Sequence, residues 1–116
     1  MDGRVASITE LIHARPMMGG YMYILRCSDD SYYVGSTINI LFRMQQHQDG
    51  EGAAYTKRRL PVELVYCLPC EWIVQAFWFE KRVQGWSRAK RKALISGDLH
   101  LLPELAKKKF PKRVAE

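Results

Sequence analysis

The stretch Tyr21-Met22-Tyr23-Ile24-Leu25-Arg26-Cys27, followed by Tyr32-Tyr33-Val34, decides the fold of this chain. Aromatic and β-branched residues dominate both segments, and this composition is typical of β-strands. Between them, Ser28-Asp29-Asp30-Ser31 supplies residues that favour a turn. We therefore predict that the two segments form a β-hairpin.

A first helix and a third strand are predicted after the hairpin. Asn39 is a good N-cap and Gly50 a good C-terminal stop for the helix, whose expected apolar face is formed by Ile40, Leu41 and Met44. A polar loop follows and contains Lys57-Arg58-Arg59. The segment from Pro61 to Leu68 then has the composition of a strand, with proline at the start, where no ladder hydrogen bond is lost.

Two further helices complete the predicted order of elements. The longer one is expected from about Glu71 to Trp86, and Ser87 can cap a short basic helix that extends to Ile95. Residues 19–97 thus form one predicted domain. Residues 1–18 are interpreted as an N-terminal appendage, with Met17 or Met18 as an alternative start, and residues 98–116 as a basic C-terminal tail.

The composition limits the class of protein. With 116 residues, 47% of them hydrophobic, the chain is long enough for one hydrophobic core. Its net charge of +6 favours a polyanionic partner. No stretch approaches the roughly 18 apolar residues that a membrane span needs, and charged residues interrupt any signal-peptide pattern near the N-terminus. We therefore expect a soluble, cytoplasmic protein without a membrane partner.

The cysteines offer one alternative to a nucleic-acid function. There are three, and an odd number argues against a secreted disulfide scaffold. Cys67-Leu-Pro-Cys70 is a C-x-x-C motif, which could be a redox pair or half of a zinc site. Because no second C-x-x-C or neighbouring pair of histidines completes a tetrahedral set, we favour buried structural residues.

Glu80 is an unusual residue in the predicted longer helix. At about 100° per residue it projects between Ile73 and Ala76, within an expected apolar arc formed by Trp72, Ile73, Ala76, Phe79 and Val83. Burying an unpaired carboxylate is costly in free energy. Glu80 is therefore expected either to pair with a cation or to open into a site that holds a metal ion.

Two pairs of residues carry further candidate chemistry. Arg43 and His47 are four residues apart, so they lie on one face of the first helix, where they could contact a single anion; an exposed polar helix face is the alternative. Tyr23 and Tyr33 lie on neighbouring predicted strands and could bring two phenols together. Packing within the sheet is the alternative for these tyrosines.

Taken together, these segments resemble the GIY-YIG nuclease superfamily. The resemblance runs from about Tyr21 to Ile95 and is greatest to the small single-domain bacterial members. It rests on the order and spacing of these motifs: Tyr21-Met22-Tyr23-Ile24-Leu25-Arg26-Cys27, Tyr33-Val34-Gly35-Ser36-Thr37, Arg43 with His47, Gly52-Ala53-Ala54-Tyr55-Thr56, Phe79-Glu80-Lys81-Arg82 and Trp86-Ser87-Arg88-Ala89-Lys90. The first triplet lacks the family's glycine, and no counterpart of a late asparagine found in some members follows Glu80.

The resemblance implies a fold and a set of site residues. The implied fold is of the α+β (α/β) class, a three-stranded antiparallel sheet flanked by helices, which agrees with the predicted element order. Arg43 would contact the scissile phosphate, and Glu80 would ligate one divalent ion, Mg²⁺ or Mn²⁺. The tyrosines of the two triplets would be Tyr23 and Tyr33, while His47 and Tyr55 would lie in or beside the site. Tyr23, Tyr33 and His47 all remain candidates for the general base.

The implied activity is that of a metal-dependent endonuclease that hydrolyses phosphodiester bonds in DNA, with RNA left open as a substrate. Contacts with the phosphate backbone do not discriminate between bases, so low sequence specificity and strong salt dependence are expected. The residues expected to bind the nucleic acid are Tyr55 and the cations Lys57, Arg58, Arg59, Arg88, Lys90, Arg91 and Lys92. A non-catalytic nucleic-acid-binding module with the same fold is the alternative function. The oligomeric state stays open.

Overall fold

The strand predicted from the opening stretch lies at the centre of the sheet. In the computed structural model, which describes residues 19–98, β1 spans Gly20–Arg26 and pairs antiparallel with β2 (Tyr32–Thr37) on one side and β3 (Glu63–Cys70) on the other. The strand order is therefore β2-β1-β3. Residues 20–25 of β1 are all buried, because this strand is covered on both faces.

Within residues 19–98, four helices flank the sheet: α1 (Ile40–Gln48), α2 (Ala54–Lys57), α3 (Ile73–Gln84) and α4 (Arg88–Ser96). Both predicted N-caps are confirmed. The Asn39 side chain accepts a hydrogen bond from the backbone N–H of Phe42, and the Ser87 side chain accepts one from Lys90. These caps satisfy backbone donors that have no partner within the helix, so the local sequence determines where α1 and α4 begin.

The two faces of the sheet bury separate groups of side chains. On the face covered by α1, the core consists of Tyr21, Tyr23, Leu25, Cys27, Ile40, Val62 and Cys67. On the face covered by α3 and α4, it consists of Met22, Ile24, Val34, Cys70, Ala76, Val83, Ala93 and Leu94. Alternate residues of a strand point to opposite faces, so β1 contributes to both cores. The α+β fold with a three-stranded antiparallel sheet is thus confirmed.

Two predictions for the segment between the helices α1 and α3 need correction: the bounds of the third strand and the loop before it. The third strand begins two residues later than predicted, at Glu63, and continues through Pro69 to Cys70. Pro69 is tolerated because β3 is an edge strand, where a missing N–H leaves no ladder partner unpaired. The loop predicted before this strand contains the short helix α2, so Lys57 is helical rather than part of a loop.

The predicted apolar faces of the helices are only partly buried. Ala76 and Val83 are buried on α3, but Trp72 is 61% exposed and Ile73 is 41% exposed. The periodicity argument assumed that the core covers the whole helix, whereas Ile73 lies over Gly20, the first residue of β1, where the sheet ends. Leu41 of α1 is likewise 40% exposed.

The two cysteines of the C-x-x-C motif do not form a pair. Cys67 lies in the core under α1 and Cys70 in the core under α3, on opposite faces of the sheet. Both thiols are free and buried, and burial raises the pKa of Cys67 to about 12 and that of Cys70 to about 11. The buried structural interpretation therefore fits, and the redox interpretation does not.

In residues 19–98, no helix is long and apolar enough to cross a membrane. The predicted appendage and nearly all of the predicted basic tail lie outside the described residues.

Candidate active site

The first residue of the site is Tyr23 of β1, whose side chain extends across the neighbouring strand β2. The register of β1 and β2 puts Tyr23 opposite Gly35. A Cβ atom on Gly35 would lie only 2.6 Å from the Tyr23 hydroxyl oxygen and 2.7 Å from Cζ of the same ring. Glycine is therefore the residue that lets the Tyr23 phenol extend across β2 while it stays fully buried.

His47, a residue of α1, contacts the Tyr23 phenol. The Tyr23 hydroxyl lies 2.9 Å from His47 Nε2, and Thr56 Oγ1 of α2 lies 3.0 Å from His47 Nδ1. His47 and Thr56 are both fully buried. A Cβ atom on Gly52 would lie 2.3 Å from His47 Nδ1, so this glycine leaves the space that the imidazole occupies. Each nitrogen of the His47 imidazole therefore has a hydrogen-bond partner, and Gly52 borders the ring.

Arg43 lies one helical turn before His47 and contacts the same phenol. Its Nε donates a hydrogen bond to the Tyr23 hydroxyl over 3.3 Å, and its Nη1 donates one to Gln46 Oε1 over 3.0 Å. The alternative of a merely exposed polar helix face does not describe these residues, because His47 is fully buried and Arg43 partly so. Three of the five predicted residues therefore meet at one hydroxyl group.

Tyr33 connects this buried group to the surface. Its ring contacts the His47 ring edge-on, with 5.6 Å between centroids, and stacks on Tyr55 with centroids 6.1 Å apart. Tyr55 is partly exposed, and the Arg59 guanidinium lies 3.7 Å above its ring centroid. An aromatic row thus runs outward from His47 to a cation at the surface.

Glu80 approaches from the other face of the sheet. Its Oε1 accepts a hydrogen bond from Ser36 Oγ of β2 over 2.5 Å, and its Oε2 accepts one from Gln84 Nε2 over 2.8 Å. The Lys81 ammonium is 3.8 Å away and largely exposed, while the Glu80 side chain is 13% exposed. The cationic partner that was one of the two expectations for Glu80 is therefore the distant Lys81 ammonium. The neutral donors Ser36 and Gln84 position this carboxylate.

The electrostatics connect Glu80 to the tyrosines. Burial raises the pKa of Tyr23 to about 12, and the charge of Glu80 contributes in the same direction. The pKa of Tyr33 is raised by burial and by Glu80, against the lowering effect of Arg43. Burial and the charge of Arg43 lower the pKa of His47 to about 4. At neutral pH both phenols and the imidazole are therefore uncharged.

The residues present fit one hard divalent cation better than a multi-ligand metal centre. Among residues 19–98, no three His, Cys, Asp or Glu side chains come together in a geometry that could hold a metal ion. Glu80 instead offers a single carboxylate whose oxygens retain acceptor capacity beyond Ser36 and Gln84. One carboxylate supplemented by waters and phosphate oxygens is an ordinary environment for Mg²⁺.

Several of the cations predicted to bind the nucleic-acid backbone make contacts within the protein itself. Arg59 pairs with Asp29 over 3.1 Å, and Arg88 donates to the backbone carbonyl of Asp30 over 2.7 Å, so both hold the turn between β1 and β2. Arg91 donates to the carbonyls of Val83 and Gln84 at the end of α3. The exposed members of the predicted set are Lys57, Arg58, Arg88 and Lys92, while Lys90 lies 5.5 Å from the Trp86 ring centroid.

Sequence reasoning missed four residues of the site. Ser36 and Gln84 position Glu80, and Thr56 and Gly52 position His47. The spacing of Gln84 four residues after Glu80 was a usable signal, because such residues are neighbours on a helix. Gly52 and Thr56 belong to the motif Gly52-Ala53-Ala54-Tyr55-Thr56, but their contacts with His47, like the contact of Ser36 with Glu80, join separate elements, so the motif did not indicate what they touch.

Comparisons with known proteins show the family of this chain. The model of the GIY-YIG catalytic domain matches residues 19–93. The chain therefore belongs to the GIY-YIG family, and its fold and general class are those of a nuclease domain. Curated relatives include a UPF0213 protein from Natronomonas pharaonis, 38% identical over 78 residues that cover 67% of this chain and 92% of the relative.

A UPF0213 protein from Syntrophus aciditrophicus is 41% identical over 80 residues, which cover 68% of this chain and 92% of the relative. A solution NMR structure of a UPF0213 protein from Bacillus halodurans is 33% identical, covers 78% of this chain and all of its own, and has a TM-score of 0.46.

Proposed function

We propose that this protein is a divalent-metal-dependent endonuclease that hydrolyses phosphodiester bonds in DNA with low sequence specificity, in the cytoplasm. The observation that supports this most directly is the meeting of Arg43, Tyr23 and His47 on one side of β2, with Glu80 on the other side of the same strand. A cation, a proton acceptor and a metal-binding carboxylate are the groups that phosphodiester hydrolysis requires.

The proposed roles follow from the chemistry of each group. Arg43 binds the scissile phosphate, whose negative charge grows in the transition state. Glu80 holds Mg²⁺ or Mn²⁺, which supplies positive charge to the phosphate when bound. Exposed cations, of which Lys57, Arg58 and Lys92 are the best candidates, bind neighbouring phosphates.

The proton acceptor in this proposal is the pair Tyr23 and His47 acting together. In the free protein Arg43 Nε donates to the Tyr23 oxygen. When the guanidinium moves to the phosphate, that oxygen gains a free lone pair for the attacking water. A water proton then passes to the Tyr23 oxygen while the Tyr23 proton passes to His47 Nε2. The hydroxide bonds to phosphorus as the bond from phosphorus to the leaving sugar oxygen breaks, and that oxygen takes a proton from the solvent, to which His47 later releases its own. A neighbouring phosphate charge favours protonated His47.

The experiment that tests the proposal compares the wild type with Glu80→Gln. Each protein is incubated with supercoiled, single-stranded and branched DNA and with a structured RNA, in Mg²⁺ or Mn²⁺. Loss of cleavage in the variant, with DNA binding retained, is the expected result. Glu63→Gln is the matched control, because Glu63 is an exposed carboxylate on β3 that pairs with Arg26, and it should cut normally.

The same experiment decides against the proposal in two ways. If the wild type binds DNA but cuts none of the substrates, the chain is a non-catalytic nucleic-acid-binding module. If Glu80→Gln cuts as fast as the wild type, the carboxylate has no part in metal binding.

A further inference from the structure

The hydrogen bonds around His47 determine which of its two nitrogens carries the proton. Thr56 has one hydroxyl proton, and its Oγ1 lies 3.1 Å from the backbone carbonyl oxygen of Ala53, to which it donates. Because this proton is used, Thr56 Oγ1 can only accept from His47 Nδ1, 3.0 Å away. This end of the ring therefore requires a proton on Nδ1.

The other end of the ring favours the same tautomer. The Tyr23 oxygen already accepts a hydrogen bond from Arg43 Nε. Arginine nitrogens cannot accept, so the Tyr23 proton has to go to His47 Nε2, 2.9 Å away and its one acceptor in the described part of the chain. With the proton on Nε2 instead, the Tyr23 proton would have no acceptor in a fully buried site.

We propose that Thr56 is a positioning residue that holds His47 in the tautomer with the proton on Nδ1, so that the bare Nε2 faces the Tyr23 hydroxyl. Gly52 and the Tyr33 ring border the His47 imidazole and keep its Nε2 beside the Tyr23 hydroxyl. The catalytic consequence rests on the proposed nuclease function, because a protonated Nε2 cannot take the Tyr23 proton. The tautomer itself does not depend on that function.

The direct test is NMR spectroscopy of the imidazole nitrogens of the full chain, in the absence of DNA and metal and at neutral pH. Long-range proton–nitrogen correlations distinguish a protonated from a bare ring nitrogen, and His47→Gln identifies the signals that belong to His47. The wild type should show protonated Nδ1 and bare Nε2. Thr56→Val, which replaces the hydroxyl by a methyl group of similar size, leaves a proton on Nδ1 without an acceptor. Part of the His47 population should therefore shift to protonated Nε2, although the Tyr23 proton then loses its acceptor.

Two variants separate positioning from packing. Thr56→Ser restores the hydroxyl and should restore the wild-type tautomer. Thr37→Val removes a threonine hydroxyl that bonds to the Asn39 backbone, outside this group, and should leave His47 unchanged. A wild type with protonated Nε2, or a folded Thr56→Val that keeps the wild-type tautomer, would overturn the proposal. If Thr56→Val does not fold, the wild-type spectrum still decides the tautomer, and Thr56→Ala, which also lacks the hydroxyl, takes the place of Thr56→Val in the comparison.

Cleavage assays add the catalytic readout. Thr56→Val should cut about 100-fold more slowly at saturating DNA, within the range that a proton acceptor contributes, while its affinity for DNA stays unchanged and Thr56→Ser recovers most of the rate. If no variant and no wild-type protein cuts DNA although the NMR result holds, the proposed function fails and the tautomer assignment stands. Equal cleavage by Thr56→Val and wild type would contradict the catalytic consequence.

Discussion

Both faces of the sheet bury an apolar core, and in the described part of the chain only the α1 face adds fully buried polar side chains to it. On the α1 face, hydrogen bonds join three fully buried polar side chains, those of Tyr23, His47 and Thr56. Under α3, Met22 and Ile24 are fully buried apolar side chains in a hydrophobic cluster. One strand supplies both groups, because alternate residues of β1 point to opposite faces.

The difference shows where this molecule gains stability and where it keeps reactive groups. Removing apolar surface from water stabilises the fold without regard to direction. A buried polar group stabilises only if every donor and acceptor has a partner, and it costs free energy if one is lost. The α3 face should therefore carry more of the stability, and the α1 face more of the proposed chemistry, with Glu80 of α3 as the exception. Each of the following experiments can contradict that division.

The largest effect is expected from Arg43→Ala on the α1 face. Loss of a cation that stabilises transition-state charge should slow cleavage about 10³-fold, which is about 4 kcal/mol, with a small change in the free energy of unfolding. Arg43→Lys should recover only part of the rate, since an ammonium lacks the planar fork of guanidinium. Single-turnover cleavage and chemical denaturation measure the two quantities. Cleavage by Arg43→Ala at the wild-type rate would show that the reaction does not use this residue.

The opposite pattern is expected from Met22→Ala on the α3 face. The cavity should lower the free energy of unfolding by about 2–5 kcal/mol, while the folded fraction cleaves DNA at the wild-type rate. Urea denaturation followed by fluorescence measures the loss. A large drop in cleavage by fully folded Met22→Ala would mean that the two faces are not separable.

A pH titration of stability distinguishes the faces through His47. Its folded pKa of about 4 lies below the ordinary value of 6.5, so the unfolded chain binds the proton more tightly. The associated stability is present above pH 6.5 and is lost as the pH falls toward 4. It amounts to at most about 3 kcal/mol. The difference in unfolding free energy between wild type and His47→Gln should shrink across this range. A constant difference would show that His47 titrates normally in the folded protein.

The smallest effect concerns the exposed cations. The double variant Lys57→Ala with Arg58→Ala should reduce the salt dependence of DNA affinity by about two phosphate contacts, without altering the cleavage rate at saturating DNA. Binding measured from low to moderate salt gives the slope. Arg26→Ala is the control, because Arg26 is already paired with Glu63. If both proteins show the wild-type slope, Lys57 and Arg58 form only a solvated surface.

Much of the fold was predictable because its signals are local. The aromatic content of β1 and β2 and the caps Asn39 and Ser87 depend on neighbours within a few residues, and all four features are present in the structure. The prediction for β3 was shifted because an edge strand tolerates Pro69. Burial at the start of α3 was overestimated because periodicity gives the direction of a side chain but not the extent of the sheet below it.

Except for the short helix α2, the sequence by itself determined the order of the described elements. It also determined the residue types available for chemistry, including the conspicuous Glu80 and the spacing of Arg43 and His47. Only the tertiary structure decided which groups these residues contact. It brought Thr56 to one nitrogen of His47 and Tyr23 to the other, and it turned Glu80 toward Ser36 rather than toward a close cation. The reason is that hydrogen bonds between separate elements depend on how those elements pack, and burial there sets each pKa.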